Sequence, residues 1–300
     1  MTKTSASSSA AGAVVAVLIS AALFGTTGTA RILSGVEAES VTIAAVRLLV
    51  GALGLVLISV VAGRSHNLLA LWKRPMVWVM GAGVAAYQAL FFVGTGLVGV
   101  AIGTLASLAL GPLMAGLLAW AMGGARPSRV WWLSTFIAIG GLSILTIGGM
   151  TSAATFNVLG IVAAIGAGTA YAVYTVLGGR LTGDALPATD VLAASFFVGA
   201  VLLLPLGAGD FSALQSGSGL ALVVWLGVFA TTCAYVLFGR GITHLAPGTV
   251  ATLNLAEPVV ATVLGVLVVH ESISGLSLVG CGLIAISLSV LAVSTVRSSK

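Results

Sequence analysis

The chain has 300 residues, of which 59% are hydrophobic and only 6% are charged, with a net charge of +5 and a mean hydropathy of +1.20. A soluble domain has about 25% charged residues, so the composition excludes an ordinary soluble protein and indicates an integral membrane protein. The basic residues form no patch, so no nucleic-acid partner is predicted; in a membrane protein they set orientation instead. Cys233 and Cys281 lie in apolar segments, which is typical of packing residues and not of a disulfide or metal pair.

Ten apolar segments are predicted to cross the membrane as helices. Residues 75–125 and 130–179 contain no charged side chain, and each stretch is about twice the ~20–25 residues that one span needs. Each therefore predicts a hairpin of two helices, and no connection is large enough for a separate domain. The predicted spans are residues 11–30, 41–62, 76–94, 100–122, 130–148, 158–177, 191–206, 220–237, 249–269 and 276–293.

The first of these segments also has features of a signal peptide, because Lys3 precedes an apolar run. That run continues to about Ala30, which is long for the apolar part of a signal peptide, so a first transmembrane helix is the preferred interpretation.

The distribution of lysine and arginine predicts that both termini are cytoplasmic. With that orientation, all but two of the twelve basic residues fall on the inner side, as the positive-inside rule requires. The exceptions are Arg31, which lies outside, and Arg47, which lies within the second span. The predicted location is the plasma membrane, the inner membrane if the source is a bacterium.

The chain is predicted to consist of two five-helix repeats, residues 1–150 and 151–300. Five spans per half force the second copy to enter the membrane upside down, which is the inverted-repeat architecture of many secondary transporters. The fourth and ninth spans both begin with G-T-x-A-(S/T)-L and both contain a proline, Pro112 and Pro258. Proline lacks an N–H and disrupts a helix interior, so a break is predicted at both positions. Freed backbone groups survive at membrane depth only inside protein or beside a water-lined cavity.

The ordered set of motifs resembles the EamA family of the drug/metabolite transporter superfamily. Each half opens with a small-residue and aromatic helix, AALFGTTG and AAIGAGTAYAVY; the second span carries Arg47-Leu48-Leu49, and the ninth reads LNLAEPVVATVLGVLVVHE. The resemblance covers nearly the whole chain. It implies a central cavity walled by spans one to four and six to nine, with the fifth and tenth to the side. It also implies alternating access and substrates such as amino acids, usually exported.

The sequence departs from the family pattern at three places. The family often has Gly-Glu after both the fourth and the ninth span, whereas this chain has Gly124-Ala125 and His270-Glu271. The usual tryptophan of the first span is Phe24. These departures bear on the transfer of a substrate from other family members and not on the fold.

Glu257 and Asn254 are the first candidates for a binding site. They are three residues apart, so they share a helix face. A carboxylate inside a span is costly and by default marks a function: it either binds a substrate ammonium or carries a coupling proton. The structural alternative is a carboxylate that caps the broken helix or pairs with Arg47.

Arg47 is the second candidate. It lies about six residues into its span, roughly 9 Å along the helix, where it can hold a substrate carboxylate. Alternatively it pairs with Glu39 or backbone carbonyls, or snorkels to the surface.

Several polar and aromatic side chains complete the candidate set. Tyr87 and Gln88 are the strongly polar residues of the uncharged stretch 75–125 and either line a cavity or join helices by hydrogen bonds. The remaining predicted binding residues share helix faces and are Thr26, Tyr171, Tyr174, Thr231 and Tyr235.

The function predicted from the sequence is secondary active transport of a small polar metabolite, namely export of an amino acid or a related compound, with protons as the candidate coupling ion. A multidrug or cation exporter of the same superfamily ranks second. A small multidrug-resistance-like exporter is expected to carry an acid in its first span, and residues 4–30 contain none. A polytopic enzyme is disfavoured, since no HExxH-like or paired-aspartate motif is present. A channel is disfavoured by the absence of a filter signature, and no GxxxxGK(S/T) loop for ATP is found. No cofactor or metal is predicted.

Overall fold

The computed structural model describes residues 3–150, 157–183, 186–207, 209 and 211–298, and within these ranges all regular structure is helical. In the first half the helices are α1 (Lys3–Ser34), α2 (Ser40–Val61), α3 (Ser65–Trp72), α4 (Pro75–Val98), α5 (Val100–Ala121) and α6 (Arg129–Gly148). In the second half they are α7 (Val158–Gly183), α8 (Ala188–Leu203), α9 (Gly217–Val224), a π-helix (Trp225–Cys233), α10 (Ala234–His244), α11 (Pro247–Leu253), α12 (Ala256–Leu267) and α13 (Gly275–Ser298).

Nine helical segments of the described ranges are long and apolar enough to cross a membrane. Two of them are composite: Gly217–His244 joins α9, the π-helix and α10, and Pro247–Leu267 joins α11 and α12. The predicted span 191–206 coincides with α8, an apolar helix of only 16 residues. Nine of the predicted spans are therefore confirmed as candidate membrane helices, and the crossing by α8 stays a prediction.

The connections differ from the predicted ones at two places. The polar stretch after the second span contains a short helix, α3, because Leu68 and Leu71 are buried against the bundle. The predicted connection between the spans 76–94 and 100–122 shrinks to a single residue, Gly99. Its φ of 87° is a conformation that glycine adopts without strain. Helix α4 consequently runs on to Val98.

The two predicted helix breaks at proline have different outcomes. At Pro112 the prediction is wrong, since α5 continues through the proline from Val100 to Ala121. At Pro258 a break exists but lies upstream, between the end of α11 at Leu253 and the start of α12 at Ala256. Pro258 thus falls in the first turn of α12, where its missing N–H is tolerated because no intrahelical partner is required there.

Helices of the first half pack against helices of the second. Helix α2 packs on α8, α4 and α5 pack on α7, α1 packs on α10 and α12, and α6 packs on α13. Small residues allow this close approach: a Cβ placed on Gly280 of α13 would lie 2.4 Å from the backbone nitrogen of Leu145 in α6. Helices α6 and α13 contribute no residue to the central cavity described below.

Candidate functional site: the central cavity

A cavity of about 410 Å³ lies in the middle of the bundle. Its wall comes from α1, α2, α4, the start of α5, α7, the π-helix, α10 and α12, with Asn254 between α11 and α12. It extends from Tyr171 and Glu257 to Arg31, Ser40 and the exposed Val100. The cavity therefore reaches the end of the bundle opposite to the start of α1 and the end of α13.

The structure brings together all but two of the predicted binding residues. Those that line this cavity are Arg47, Tyr87, Gln88, Tyr171, Tyr174, Tyr235, Asn254 and Glu257. Thr231 lines a small adjoining void of about 20 Å³ beside Arg47 and Tyr235, but its hydroxyl donates a 2.7 Å hydrogen bond to the Leu226 carbonyl. Pro112 lines a second void of about 30 Å³ next to Asn254.

Thr26 does not line the cavity. Its hydroxyl donates to the Leu23 carbonyl at 2.7 Å and accepts from the indole N–H of Trp225 at 3.0 Å. The next residue, Thr27, lines the cavity instead, with a buried hydroxyl that bonds to no described residue. The sequence prediction therefore named the neighbour of the threonine that lines this cavity.

The gap between α11 and α12 fixes the position of Glu257. The carbonyl of Asn254 accepts from the backbone N–H of Glu257 at 3.0 Å, and the N–H of Leu255 donates to the Thr252 carbonyl at 3.0 Å. The carbonyl that Pro258 deprives of a helical partner is therefore satisfied locally. Glu257 lies in the first turn of α12, where the helix dipole favours a negative charge.

Asn254 connects this gap to α7. Its side-chain Nδ2 donates to the hydroxyl of Tyr171 at 3.2 Å. Its Oδ1 is buried and accepts no hydrogen bond from the described residues. The ring of Tyr171 in turn lies 5.8 Å from that of Tyr87, so α4, α7 and the gap meet at one point of the wall.

Three charged residues line the cavity: Arg31, Arg47 and Glu257. Arg31 lies at the open end of the cavity, where its guanidinium donates to Ser40 Oγ at 2.7 Å and to the Ala38 carbonyl at 3.0 Å. Neither the Arg47 side chain nor the Glu257 side chain forms a hydrogen bond or an ion pair with any residue in the described ranges. The salt bridge in these ranges joins two other residues, Arg64 and Asp190. The alternatives in which Arg47 pairs with Glu257 or Glu39 are thus absent from this conformation.

Aromatic rings close the inner end of the cavity. The hydroxyls of Tyr174 and Tyr235 are 3.3 Å apart, and Tyr174 is fully buried. The ring of Tyr235 lies 5.0 Å from Phe24 and 4.3 Å from Phe196. Such tilted pairs are favourable beyond simple burial, so the floor is an aromatic layer that joins α1, α7, α8 and α10.

Sequence reasoning missed a buried polar network at this closed end. Asp190, in the first turn of α8, is 0% exposed. Its carboxylate accepts from Ser59 Oγ at 2.8 Å, Arg64 Nε at 3.0 Å and Asn67 Nδ2 at 2.7 Å. The network ties α2 and α3 to α8. The available signal in the sequence is an aspartate that follows Pro187 and directly precedes an apolar run. The predicted spans leave this aspartate in the connection between residues 177 and 191.

The described part of the chain contains no group of three His, Cys, Asp or Glu side chains that could hold a metal ion. The groups that the site presents are a guanidinium and a carboxylate without partners among the described residues, an amide oxygen and tyrosine hydroxyls around one cavity. A membrane-embedded helical bundle around such a cavity has the arrangement of a multi-pass transport protein.

Comparisons with known proteins agree with this class. Residues 158–293 match the model of the EamA-like transporter family. An uncharacterized transporter of Bacillus subtilis, YwfM, is 34% identical over 276 residues, 92% of each chain. The threonine/homoserine exporter RhtA of Salmonella typhimurium is 33% identical over 44% of this chain and 45% of its own length. A solved crystal structure superposes with a TM-score of 0.79 over 94% of this chain and 98% of its own, at 22% identity, and supports the fold alone.

This chain belongs to the EamA-like transporter family of multi-pass bacterial membrane proteins.

Proposed function

We propose that the protein is a secondary active transporter that exports small zwitterionic metabolites, amino acids or close relatives. The observation that carries this proposal is the pair of opposite charges in one cavity, the Arg47 guanidinium and the Glu257 carboxylate, neither bonded to another described residue. Arg47 binds the substrate carboxylate and Glu257 the ammonium group. Asn254 Oδ1, buried without a donor, accepts a further ammonium hydrogen.

Two further facts support the amino-acid class. RhtA, whose name states threonine and homoserine export, aligns with 44% of this chain. A guanidinium also matches a carboxylate in geometry and charge, since two parallel N–H···O bonds can form.

Alternating access between two inverted repeats is the proposed mechanism. The repeats are residues 1–150 and 151–300, α8 crosses the membrane as the seventh of ten spans, and both termini are cytoplasmic. The helix packing supports this symmetry. Between the two repeats, α1 corresponds to α7, α4 to α10, and α5 to α11–α12. The α4–α7 contact therefore has its counterpart in α1–α10 and the α5–α7 contact in α1–α12, and all four contacts are present. Proton coupling through Glu257 is a separate part of the proposal, and no enzymatic activity is expected.

A multidrug or cation exporter is the second candidate. The aromatic wall and the single carboxylate favour it, because a cation is attracted both to ring faces and to an acid. The presence of Arg31 and Arg47 in the same cavity disfavours it, because two fixed positive charges outweigh the one carboxylate.

The test is counterflow in proteoliposomes with labelled threonine, homoserine, other amino acids and a hydrophobic cation. Wild type is compared with Arg47→Ala and with Arg129→Ala, an exposed arginine that does not line the cavity. Only a carrier exchanges labelled for unlabelled substrate, so counterflow also excludes a channel.

We expect wild type and Arg129→Ala to exchange one class of amino acid at similar rates. In Arg47→Ala the exchange rate should fall about tenfold or more, the effect of one charge-assisted hydrogen bond. Exchange of the cation alone, with Arg47→Ala as fast as wild type, would show a cation exporter and overturn the amino-acid assignment.

A further inference from the structure

A second cavity, of about 320 Å³, lies at the opposite end of the bundle from the mouth of the central one. Its wall is formed where α5, α6, α10, α11 and α13 meet, close to the start of α1. Both halves of the chain contribute to it. It shares no lining residue with the central cavity, and the proposed transport function does not use it.

The wall of this cavity carries hydrogen-bond donors and positive charge and contains no acid. Its polar side chains are those of Arg126, Ser128, Trp131, His244, Thr249, Ser294, Thr295 and Ser298. The oxygen of Ser128 already accepts from the backbone N–H of Trp131 at 3.1 Å, so its own O–H remains free to donate. Such a set is complementary to an anion.

Trp131 gives the second and independent sign of a ligand. The residue is only 4% exposed, and its indole N–H finds no acceptor among the described residues. A buried donor without an acceptor is costly, and tryptophan has no other way to use this group. The edge of the ring packs against two neighbouring glycines: a Cβ on Gly116 or Gly248 would approach it to 2.5 or 3.0 Å. The donor is thus fixed in place.

Arg126 is also positioned beside this cavity. Its guanidinium carbon lies 5.4 Å from the centre of the Trp120 ring, within the range of a cation–π contact. It forms no ion pair with the described residues. An arginine held on an aromatic ring at the end of a membrane helix presents its donors to a phosphate in a defined orientation.

A lipid-facing groove continues from the cavity along the outside of the bundle. It has a volume of about 600 Å³, shares Ser294 and Ser298 with the cavity, and is lined further by Val130, Val290, Val293 and Arg297. Val290 and Val293 are half exposed. Ser289 also lines the groove, and its three valines form an apolar strip beside the serines and Arg297. A charged cavity that opens into a groove with such a strip fits a molecule with a phosphate and an acyl chain.

We propose that this cavity binds the headgroup phosphate of an anionic phospholipid, with one acyl chain in the groove between α6 and α13. Arg126, the indole N–H of Trp131 and the Ser128 hydroxyl donate to the phosphate, and Arg297 adds a second positive charge. Basic pockets between membrane helices are known to accept anionic headgroups in this way. Because the lipid touches both halves at this closed end, it stabilises the conformation in which the central cavity is open at the other end.

The test is native mass spectrometry of the purified full-length protein in detergent, titrated with palmitoyl-oleoyl phosphatidylglycerol or phosphatidylcholine. The variants are Arg126→Gln, Trp131→Phe and Arg297→Gln. The matched control is Arg129→Gln, at the first residue of α6, three positions after Arg126, which does not line the cavity. Circular dichroism and gel filtration verify that each variant is folded. Inorganic phosphate is added as a soluble competitor.

We expect one phosphatidylglycerol to bind about tenfold more tightly than phosphatidylcholine. Arg126→Gln and Trp131→Phe should each weaken it several-fold to about tenfold, as expected for lost bonds to a charged group, and Arg129→Gln should not. Equal affinity for both lipids, or phosphatidylglycerol binding that no cavity variant changes, would overturn the proposal. Binding of inorganic phosphate in place of the lipid would overturn the lipid assignment.

Discussion

The two proline segments of the bundle, α5 and α11–α12, have similar sequences and different structures. Helix α5 accommodates Pro112 in its interior without interruption, whereas the second segment is interrupted at Asn254 and Leu255, ahead of Pro258. A proline by itself therefore does not decide whether a membrane helix breaks. The break occurs where neighbouring groups replace the helical bonds, here the N–H of Glu257 on the Asn254 carbonyl.

The difference also has a functional side. The segment that breaks places an acid and an amide at the cavity, and the first turn of α12 stabilises the acid by its dipole. The continuous segment has Gly111 before its proline and presents no charged side chain. The two halves are thus alike in packing but not in chemistry, and the binding groups of the central segments are concentrated in the second.

The largest expected effect comes from removing the charge that only the second segment carries. Glu257→Gln keeps the shape and loses the carboxylate, so counterflow should fall roughly 10- to 100-fold, the worth of a charge-assisted bond to the substrate. Dependence of uptake on an imposed pH gradient should disappear with it. Both are measured in proteoliposomes.

The control for this change is Glu271→Gln, an acid beyond the end of α12 that does not line the cavity. It should transport like wild type. Full dependence on the pH gradient in Glu257→Gln would rule out that residue as the proton carrier, and an undiminished rate would remove it from the site.

A smaller effect is expected from exchanging each proline for alanine. Pro258→Ala restores an N–H to the first turn of α12 and allows α11 and α12 to merge, which moves Asn254 and Glu257 away from their positions. Initial transport rates should drop about tenfold, the equivalent of about 1–1.5 kcal/mol. Pro112→Ala changes a helix that is already continuous, so its rate should stay within about threefold and its thermal stability should be equal or higher.

The comparison fails if Pro112→Ala loses more transport than Pro258→Ala. That result would mean that Pro112 in α5 controls the geometry of the site, and that the gap between α11 and α12 does not.

Which of these features could be read from the sequence depends on whether they are local. Apolar length identifies the long helices, and an acid inside one of them identifies Glu257 as a binding candidate. The register of a helix relative to its neighbours is not local: Thr26 and Thr27 differ by about 100° around α1, and only the contact of Thr26 with Trp225 shows which one turns away. The Asp190 network is non-local in the same sense, because it joins α8 to residues more than a hundred positions earlier.

The smallest expected effect concerns the bond that each proline segment makes to α7. In α5, Ser107 Oγ donates to the Ala164 carbonyl at 3.1 Å; beside α12, Asn254 Nδ2 donates to the Tyr171 hydroxyl at 3.2 Å. The first acceptor is a backbone carbonyl within a helix, so Ser107→Ala should change stability little. The second joins two side chains, so a double-mutant cycle of Asn254→Ala and Tyr171→Phe should show a coupling free energy of about 0.6–1.7 kcal/mol, the range measured for such bonds in membranes.

The quantity to measure is the free energy of unfolding in mixed micelles, since it does not depend on the identity of the substrate. Strictly additive effects in the cycle would mean that the Asn254–Tyr171 contact contributes nothing to the folded state. A loss in Ser107→Ala as large as the coupling would mean that both proline segments depend equally on α7. The expected inequality follows from the gap: residues that have left the helical ladder need side-chain partners, whereas residues within α5 already have backbone ones.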